Sequence, residues 1–243
     1  MRKFGAIILA AGKGKRLNSK KINKVALHLD DRPMISHTIE LVRSLNIKTI
    51  VVVVGFAKNS VMNALDRRII FAEQKKRLGT AHAVLCGLKK LPEGVTDILV
   101  LNGDDSAFYT KETIENLITK HTLDNSMITF LTIEREDPTS LGRILRGEDG
   151  RVEAIVEEKD ATEEQKKIKE INPGCYIFNV SFLNKFLTKV RKSGVTGEYY
   201  ITSLIDIALK NNQKVETLKA GRIAWHGINT PKDLEEAKNS LLL

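Results

Sequence analysis

Apolar, β-branched runs alternate with amphipathic segments along the first half of the chain, and this alternation constrains the fold more than any other feature. The run at residues 50–54, Ile-Val-Val-Val-Val, is continuous, which is typical of a strand that is covered on both faces. Between such runs apolar residues recur at helical spacing, as in Ile35, Ile39 and Val42. The β-α-β-α order predicts an α/β protein with a doubly wound, mostly parallel sheet.

The hydrophobic pattern predicts a regular series of elements up to about residue 135. Strands are predicted at 4–10, 48–54, 69–72, 97–101 and 127–133. Helices are predicted at 33–45, 79–91 and 110–122. Pro33 suits the first turn of its helix, and Thr110 is a capping residue at the start of the third helix.

The pattern changes after about residue 135, where shorter elements are predicted. A hairpin is predicted around residues 147–150, with strands at 143–146 and 151–156. A charged helix at 161–169, a strand at 174–179, helices at 180–192 and 199–210, a strand at 214–218 and a last helix at 231–240 follow. We therefore expect one domain over residues 1–243, with a first half at about 1–135 and a smaller, substrate-covering lobe at about 136–243.

The first predicted strand leads into a small, glycine-rich, cationic turn that ends at Arg16 and is followed by Lys24. Backbone N–H groups and fixed positive charge at the carboxyl end of a strand suit a polyphosphate. Two common phosphate motifs do not fit, because Ile7 stands where a Walker loop needs its first Gly, and Leu17 replaces the third Gly of the dinucleotide fingerprint. The loop is predicted to bind phosphate by another scheme, and a plain turn with solvated lysines stays open.

Three further sets of polar residues lie where predicted strands end or loops begin. Gln74 and the pair Gly79-Thr80 separate a strand from a helix, where an amide and a helix N-terminus can read a base edge; an ordinary helix start is the alternative. Residues 102–105, Asn-Gly-Asp-Asp, suit a hard cation on phosphates, although the same residues favour a turn. Asn229, in a late loop, can share a metal through its carbonyl oxygen.

Composition narrows the range of partners. The 243 residues carry a formal net charge of +9, but the lysines are spread along the chain and aromatic residues make up only 5%, so the sequence lacks the interleaved aromatics of a nucleic-acid surface. We expect a basic cleft for phosphorylated small molecules. No apolar run approaches the ~20 residues of a membrane span, and no signal-peptide pattern opens the chain. Cys86 and Cys175 lie in apolar contexts typical of buried thiols in a reducing compartment. These features predict a cytoplasmic protein without nucleic-acid or membrane partners, and they leave the oligomeric state open.

Several motifs, in order, resemble those of the sugar nucleotidyltransferase family. The opening pattern is Leu9–Arg16, followed by Lys24 and Pro33-Met34. The later segments are Leu141–Ile144, Ile155–Thr162, Glu170–Asn172 and Gly197–Thr202. The likeness covers nearly the whole chain, and its later segments are most similar to the uridylyltransferase domain of bacterial N-acetylglucosamine-1-phosphate uridylyltransferases.

The resemblance implies a nucleotide-diphospho-sugar transferase fold, with a Rossmann-like nucleotide-binding half and a sugar-binding half. It also implies an enzyme, a sugar-1-phosphate uridylyltransferase or pyrophosphorylase. UTP and N-acetylglucosamine 1-phosphate would react by in-line attack on the α-phosphorus, with Mg²⁺ as cofactor. The products would be pyrophosphate and UDP-N-acetylglucosamine, a cell-envelope precursor.

The resemblance also implies roles for individual positions. Arg16 and Lys24 match the catalytic cations that contact phosphate, and Asp104 and Asn229 match the Mg²⁺ ligands. The matching nucleotide-binding positions are Leu9, Ala10, Ala11, Gly12, Gly14, Gln74, Gly79, Thr80 and Gly103. The matching positions around the sugar are Gly142, Glu157, Asn172 and Thr202. The Gln74 amide is expected both to donate to and to accept from the uracil edge.

The departures from the family pattern leave specificity open. One extra residue lies between Arg16 and Lys24, and Asn23 replaces the usual Pro, which predicts a less rigid loop. Leu141 and Pro173 replace polar residues near the sugar, so glucose 1-phosphate or another sugar 1-phosphate, or dTTP in place of UTP, stays an alternative. A non-catalytic nucleotide-sugar sensor is an alternative of another class. The chain shows no hexapeptide repeats of a β-helix acetyltransferase domain, so we expect it not to acetylate.

Overall fold

A computed structural model describes residues 2–14, 17, 21–104, 108–220, 225, 227–228 and 230–241. The strands are β1 (Phe4–Ala10), β2 (His28–Leu29), β3 (Arg32–Pro33), β4 (Thr49–Val54), β5 (Ile70–Glu73), β6 (Asp97–Asn102), β7 (Ile128–Glu134), β8 (Gly142–Arg146), β9 (Val152–Val156), β10 (Glu170–Asn172), β11 (Tyr176–Asn179) and β12 (Val215–Lys219). The helices are α1 (Met34–Ser44), α2 (Lys58–Met62), α3 (Thr80–Leu88), α4 (Lys111–Leu123), α5 (Glu163–Lys166), α6 (Val180–Phe186), α7 (Ser203–Lys210) and α8 (Pro231–Leu241).

Ten of these strands form one mixed sheet in the order β5-β4-β1-β6-β11-β7-β10-β8-β9, with β12 paired to β7. Strands β5, β4, β1 and β6 are parallel. Strand β11 is antiparallel to both β6 and β7, and β10, β8 and β9 continue the sheet antiparallel. The predicted α/β class with a doubly wound sheet is confirmed, and the second half of the chain adds an antiparallel extension.

Helices cover both faces of the parallel half, which explains its apolar strands. On β4, Val51 and Val53 belong to one buried cluster and Val52 belongs to another on the opposite face. Successive residues of a strand point to opposite faces, so a continuous apolar run is required only where both faces are buried. Ile7 and Ile8 divide in the same way on β1.

Two predicted helices are shorter than their sequence patterns. The helix predicted at 199–210 begins only at Ser203, because the backbone N–H of Tyr199 donates to Leu78 and its carbonyl accepts from Ala81. The helix predicted at 161–169 is limited to Glu163–Lys166, since the chain extends at Lys169, whose carbonyl accepts from the N–H of Arg135 at the entry to β10. In both places a distant segment takes the backbone groups that a longer helix would use.

A third predicted helix, at 180–192, is divided. The α-helical part is α6, which ends at Phe186, and a 3₁₀ turn follows at Leu187–Lys189. Within the described part of the chain, no helix combines the length and apolar character needed to cross a membrane.

Strand β1 lies between β4 and β6, so the chain reverses its direction of winding at β1. Crevices outside the carboxyl ends of strands at such a switch point are where ligands bind in open α/β sheets. Here the carboxyl ends of β1 and β6 are Ala10 and Asn102. The predicted glycine-rich loop and the predicted acidic turn therefore lie at the same edge of the sheet.

A buried polar network lies at the opposite edge of the sheet. Asp97 and His121 are fully buried, and the two imidazole nitrogens lie 3.0 Å from Asp97 Oδ1 and 2.8 Å from Thr129 Oγ1. Burial raises the pKa of Asp97, but hydrogen bonds from His121 and Thr96 and the charge of Arg2 outweigh it and leave the pKa below its ordinary value. This network is at the far end of β6 from Asn102 and has a structural role.

Candidate active site

Two cavities adjoin at the carboxyl edge of the sheet. The larger cavity, of about 460 Å³, is lined by the loop after β1, by residues 23–25 and by the start of α3. The smaller cavity, of about 270 Å³, is lined mainly by residues of the second half of the chain. Both are lined by Leu9, Thr80, Asn102 and Asp104. A ligand that fills both cavities would meet Asp104 at their junction.

The structure gathers most of the site residues that were predicted from the sequence. The larger cavity is lined by Leu9, Ala10, Ala11, Gly12, Gly14, Lys24, Gln74, Gly79, Thr80 and Asp104. The smaller cavity is lined by Gly142, Glu157, Asn172 and Thr202. Gly103 supports the site through its backbone, since its N–H donates to the carbonyl of Leu9 at 3.0 Å. The predicted residues Arg16 and Asn229 lie outside the described residues.

The loop after β1 packs tightly against its neighbours. Gly14 has a φ of +57°, which favours glycine, and a Cβ at this position would lie 2.9 Å from the Cβ of Lys24. Gly55 has as little room, because a Cβ there would lie 2.9 Å from the carbonyl oxygen of Ala11. Glycine at these positions lets the loop approach both the segment of Lys24 and the end of β4.

Lys24 and Asp104 form an ion pair at the junction of the cavities. Their side chains are only 14% and 16% exposed. A carboxylate in this position provides an oxygen ligand that Mg²⁺ accepts alongside phosphate oxygens and water. Across the described residues, no three His, Cys, Asp or Glu side chains converge on one metal position. The carboxylate of Asp104 fits a cation that phosphate oxygens and water would also hold.

The side chain of Gln74 is buried and its amide nitrogen is already engaged. Gln74 Nε2 lies 3.0 Å from the carbonyl oxygen of Gly79 and 3.0 Å from Nδ1 of His82. Since a carbonyl oxygen only accepts, the nitrogen must face it, and His82 Nδ1 then accepts as well. Burial, with a smaller effect of the Lys89 charge, lowers the pKa of His82 and favours the neutral ring.

This arrangement corrects one expectation from the sequence. The amide of Gln74 was expected both to donate to and to accept from a base. In the structure its N–H groups are directed to Gly79 and His82, which leaves Oε1 as the atom that can accept from a ligand. The sequence pattern singled out Gln74 but not His82, whose contribution depends on the packing of α3 beside the end of β5.

The segment 199–202 joins the two cavities. The N–H of Ile201 donates to Thr80 Oγ1 at 2.9 Å, and Thr202 Oγ1 donates to Glu157 Oε1 at 2.9 Å. Gly79, with a φ of +106°, lies so close to the backbone of Tyr199 that a Cβ would overlap it. The start of α3 and the carboxylate of the smaller cavity are thus connected through Tyr199, Ile201 and Thr202.

Besides Asp104 at the junction, the smaller cavity is lined by the carboxyl group of Glu157. Burial raises its pKa, the hydrogen bond from Thr202 opposes this effect, and the negative charges of Asp160 and Glu198 add to the rise. Asn172 contacts the hydroxyl of Tyr176, and its Oδ1 accepts from the N–H of Gly174 at 3.1 Å. The smaller cavity therefore presents a carboxylate and oriented amide and hydroxyl groups, which suit a ligand rich in hydroxyls.

Arg143 braces the wall of the smaller cavity and was not singled out as a site residue from the sequence. It is 1% exposed, its Nη2 donates to Glu158 at 2.6 Å and its Nε donates to the carbonyl of Lys166 at 3.3 Å. It also contacts the carbonyl of Leu141, which lines the cavity. The signal in the sequence was a charged residue within a short apolar strand, but only the packing reveals its partners.

Known proteins are similar to this chain over nearly its whole length. The chain matches the family described as nucleotidyl transferase over residues 5–242. It is 42% identical over 236 residues to the bifunctional protein GlmU of Geobacillus thermodenitrificans, covering 96% of this chain and 50% of that protein. It is 40% identical over 240 residues to the bifunctional protein GlmU of Caldicellulosiruptor saccharolyticus, covering 98% of this chain and 51% of that protein. The chain thus spans about half the length of these relatives.

A solved structure shares the fold. It is a Bacillus anthracis protein assigned as a glucose-1-phosphate thymidylyltransferase and crystallised in complex with a sucrose. The TM-score is 0.82, with coverage of 98% of this chain and 94% of that chain, and the sequences are 22% identical.

Replacing Glu157 by Gln is expected to stabilise the protein at pH 8. A carboxyl group whose pKa is higher in the folded than in the unfolded protein stabilises the fold fully below its unfolded-state pKa. That contribution to the free energy of unfolding is lost as the pH rises through its folded-state pKa. Gln avoids this loss, so the melting temperature of Glu157→Gln should exceed that of the unchanged protein by a few degrees at pH 8, and the difference should shrink at pH 5. Thermal denaturation at both pH values measures it.

The matched control is Glu153→Gln, an exposed glutamate on β9. Its effect on the melting temperature should be small and the same at both pH values. A lower melting temperature for Glu157→Gln than for the unchanged protein at pH 8 would contradict the assignment.

Proposed function

The chain belongs to the nucleotidyl transferase family, and from this premise we propose that it transfers a uridylyl group from UTP to N-acetylglucosamine 1-phosphate. An oxygen of the sugar phosphate attacks the α-phosphorus of UTP, a new P–O bond forms, and the bond to the β-phosphate breaks to release pyrophosphate. The observation that carries the proposal is the pair of adjoining cavities with Lys24 and Asp104 at their junction. The product is UDP-N-acetylglucosamine.

The larger cavity is the proposed nucleotide site. The backbone N–H groups of the loop at residues 10–14 and the ammonium of Lys24 neutralise the phosphates, and Arg16 is assigned to the same task. The sugar phosphate is itself the nucleophile, so no side chain has to form a covalent intermediate. Catalysis then depends on positioning and on charge held in place before the reaction begins.

The proposed base site is at Gln74, Gly79 and Thr80. Oε1 of Gln74 accepts from the N3–H of uracil, because the amide nitrogen is held by Gly79 and His82. Cytosine has a lone pair at N3 in place of the proton. Its N3 and Gln74 Oε1 would then be two acceptors that face each other without a hydrogen between them. Thymine differs from uracil only by a methyl group, and these contacts would tolerate dTTP.

The smaller cavity is the proposed sugar site. The Glu157 carboxylate accepts hydrogen bonds from sugar hydroxyls, and it also accepts one from Thr202 Oγ1. Asn172 and the backbone at Gly142 lie against the N-acetyl group. A site built to hydrogen-bond a substrate group discriminates against analogues without that group, because its own polar atoms are left unpaired. The two GlmU relatives, which are 40–42% identical, support nucleotidyl transfer to a sugar phosphate.

Magnesium is the proposed cofactor, with Asp104 and Asn229 as its protein ligands. The carboxylate of Asp104, which is mostly buried at the cavity junction, fits such an ion. When bound, Mg²⁺ would neutralise charge that develops on the phosphate oxygens. Lys24 pairs with Asp104 and so keeps the carboxylate at the place where the nucleotide and the sugar phosphate meet.

A second specificity is supported by particular residues. Leu141 and Pro173 line the smaller cavity and bring apolar surface to the proposed sugar site. Fewer polar partners for the N-acetyl group would favour glucose 1-phosphate or another hexose 1-phosphate.

An assay of pyrophosphate release tests the proposed function. With UTP and Mg²⁺, N-acetylglucosamine 1-phosphate should exceed glucose 1-phosphate by at least about tenfold in kcat/KM, equivalent to about 1.4 kcal/mol. Equal or reversed efficiencies would move the chain to a hexose-phosphate specificity. Absence of pyrophosphate with every sugar 1-phosphate and NTP would refute nucleotidyl transfer.

The role of Lys24 predicts a large loss on truncation. Lys24→Ala should lower kcat by about 10²–10³, the usual cost of removing one preorganised donor to a developing charge. The exposed Lys13 on the same loop should matter less, and Lys13→Ala should lose under about tenfold. The matched control is Lys21→Ala, an exposed lysine that lines neither cavity. Similar losses in all three variants would indicate diffuse electrostatics instead of a specific contact.

The base site predicts that His82 affects nucleotide choice. His82→Phe removes the acceptor for Gln74 Nε2, so the amide can rotate and present its N–H groups to the base. The ratio of kcat/KM for UTP over CTP should then fall by about tenfold, while the KM for the sugar phosphate stays within about twofold. His28→Phe, at an exposed histidine on β2, serves as the control. An unchanged UTP-to-CTP ratio in His82→Phe would argue against this orientation of Gln74.

A further inference from the structure

The side-chain amide of Asn23 lies at the centre of the loop that forms the larger cavity. Asn23 is fully buried, and its Nδ2 lies within hydrogen-bond distance of three backbone carbonyls. These belong to Ala10 at 3.0 Å, Gly12 at 3.1 Å and Phe56 at 2.7 Å. One nitrogen with two hydrogens thus serves three acceptors.

The remaining polar atoms of Asn23 are also bonded. Its Oδ1 accepts from the N–H of Val25 at 3.1 Å, which caps the short 3₁₀ turn Lys24–Ala26. Its backbone N–H donates to Ser60 Oγ at 2.9 Å, and Ser60 lies on α2. Asn23 therefore connects the end of β1, the loop after it, the segment after β4 and the start of the 3₁₀ turn.

This connection has a consequence for Lys24, the next residue. The amide fixes the carbonyls of Ala10 and Gly12 relative to the turn that begins at Lys24. Gly14 packs against the Cβ of Lys24 on the other side. The loop N–H groups and the Lys24 ammonium are thereby held in one arrangement before a ligand arrives, and preorganised charge is more effective than charge that must reorganise on binding.

The chemistry of the side chain limits which residues could replace Asn23 in these hydrogen bonds. An amide side chain offers two N–H donors and one acceptor; a carboxylate of the same size offers acceptors alone, and a hydroxyl offers a single donor. A less rigid loop was expected because Asn23 replaces the usual Pro. Proline would restrict the backbone but would give no hydrogen bond to the three carbonyls, so Asn23 restrains the loop by a different means.

We propose that Asn23 is a positioning residue that holds the loop at residues 10–14 and Lys24 together as one binding surface for the polyphosphate of the nucleotide. This rests on the proposed function only in taking the larger cavity as the triphosphate site. Asn23 acts through the loop and Lys24.

Titration calorimetry with Mg-UTP and with Mg-pyrophosphate tests the proposal without requiring turnover. Asn23→Ala should weaken binding of both ligands by about tenfold. Asn23→Asp keeps the size and the acceptor for Val25 but turns acceptors toward the three carbonyls, so it should bind at least as weakly as Asn23→Ala. The KM for the sugar phosphate should stay within about twofold in both variants.

Thr129→Val is the matched control for stability. Thr129 is fully buried, bonds to His121 at the far edge of the sheet and lines neither cavity. It should lower the melting temperature, as the Asn23 variants do, yet leave both affinities and kcat unchanged. If Asn23→Asp does not fold, Asn23→Ala compared with Thr129→Val decides the question alone.

The outcomes separate this proposal from the proposed function. Asn23→Ala that lowers the melting temperature but keeps both affinities within about twofold would overturn the positioning role, and so would an unchanged protein that binds neither ligand. The positioning role would also be overturned if Asn23→Asp bound the two ligands clearly more tightly than Asn23→Ala. The size of the side chain, and not its N–H donors, would then determine the affinity. Weakened binding in a protein that releases no pyrophosphate with any sugar phosphate would sustain the role of Asn23 and refute the proposed transfer.

Discussion

The parallel pairing of β1 between β4 and β6 is the constraint on which the rest of the structure depends. It aligns Ala10 of β1 with Val54 of β4, and Leu9 of β1 with Asn102 of β6, so three loops leave the sheet at one edge. Those loops carry the glycine-rich turn, the Phe56 carbonyl and Asp104. Because parallel strands need long crossovers, each pairing also places a helix on a face of the sheet, and this accounts for the two apolar clusters that cover the strands.

The antiparallel half adds the second cavity by a different route. Strand β11 inserts between β6 and β7, and β10, β8 and β9 extend the sheet beyond it. Glu157 follows β9 and Asn172 ends β10, so the polar groups of the smaller cavity come from short strand ends that are far from β1 in the sequence. Arg143 braces the wall beside Glu157, since its side chain bonds to Glu158, to the carbonyl of Lys166 in α5 and to the carbonyl of Leu141.

The two cavities are mechanically connected as well as adjacent. Residues 78–81, which include the first turn of α3, share three hydrogen bonds with Tyr199 and Ile201, two of them entirely between backbone groups. Thr202 then continues the path to Glu157. A reaction between two bound substrates that needs no protein nucleophile depends on how the reacting atoms are placed relative to each other. A rigid connection between the two sites is therefore the main contribution that the protein can make to the rate.

The sequence by itself determined the fold class, most strands to within one or two residues, and the identity of many residues that line the cavities. These features depend on hydrophobic period and on turn chemistry, which are local, and on motifs whose residues are contiguous. The tertiary structure alone decided the late start of α7, the direction of the Gln74 amide and the bonding of Asn23 and Arg143. Each of these depends on partners distant along the chain, such as Phe56 for Asn23 at a separation of 33 residues and Ile201 for Thr80 at 121. The sequence shows which polar side chains require hydrogen-bond partners if they are buried. Only the packing of the folded chain brings those partners within the ~3 Å at which a hydrogen bond forms.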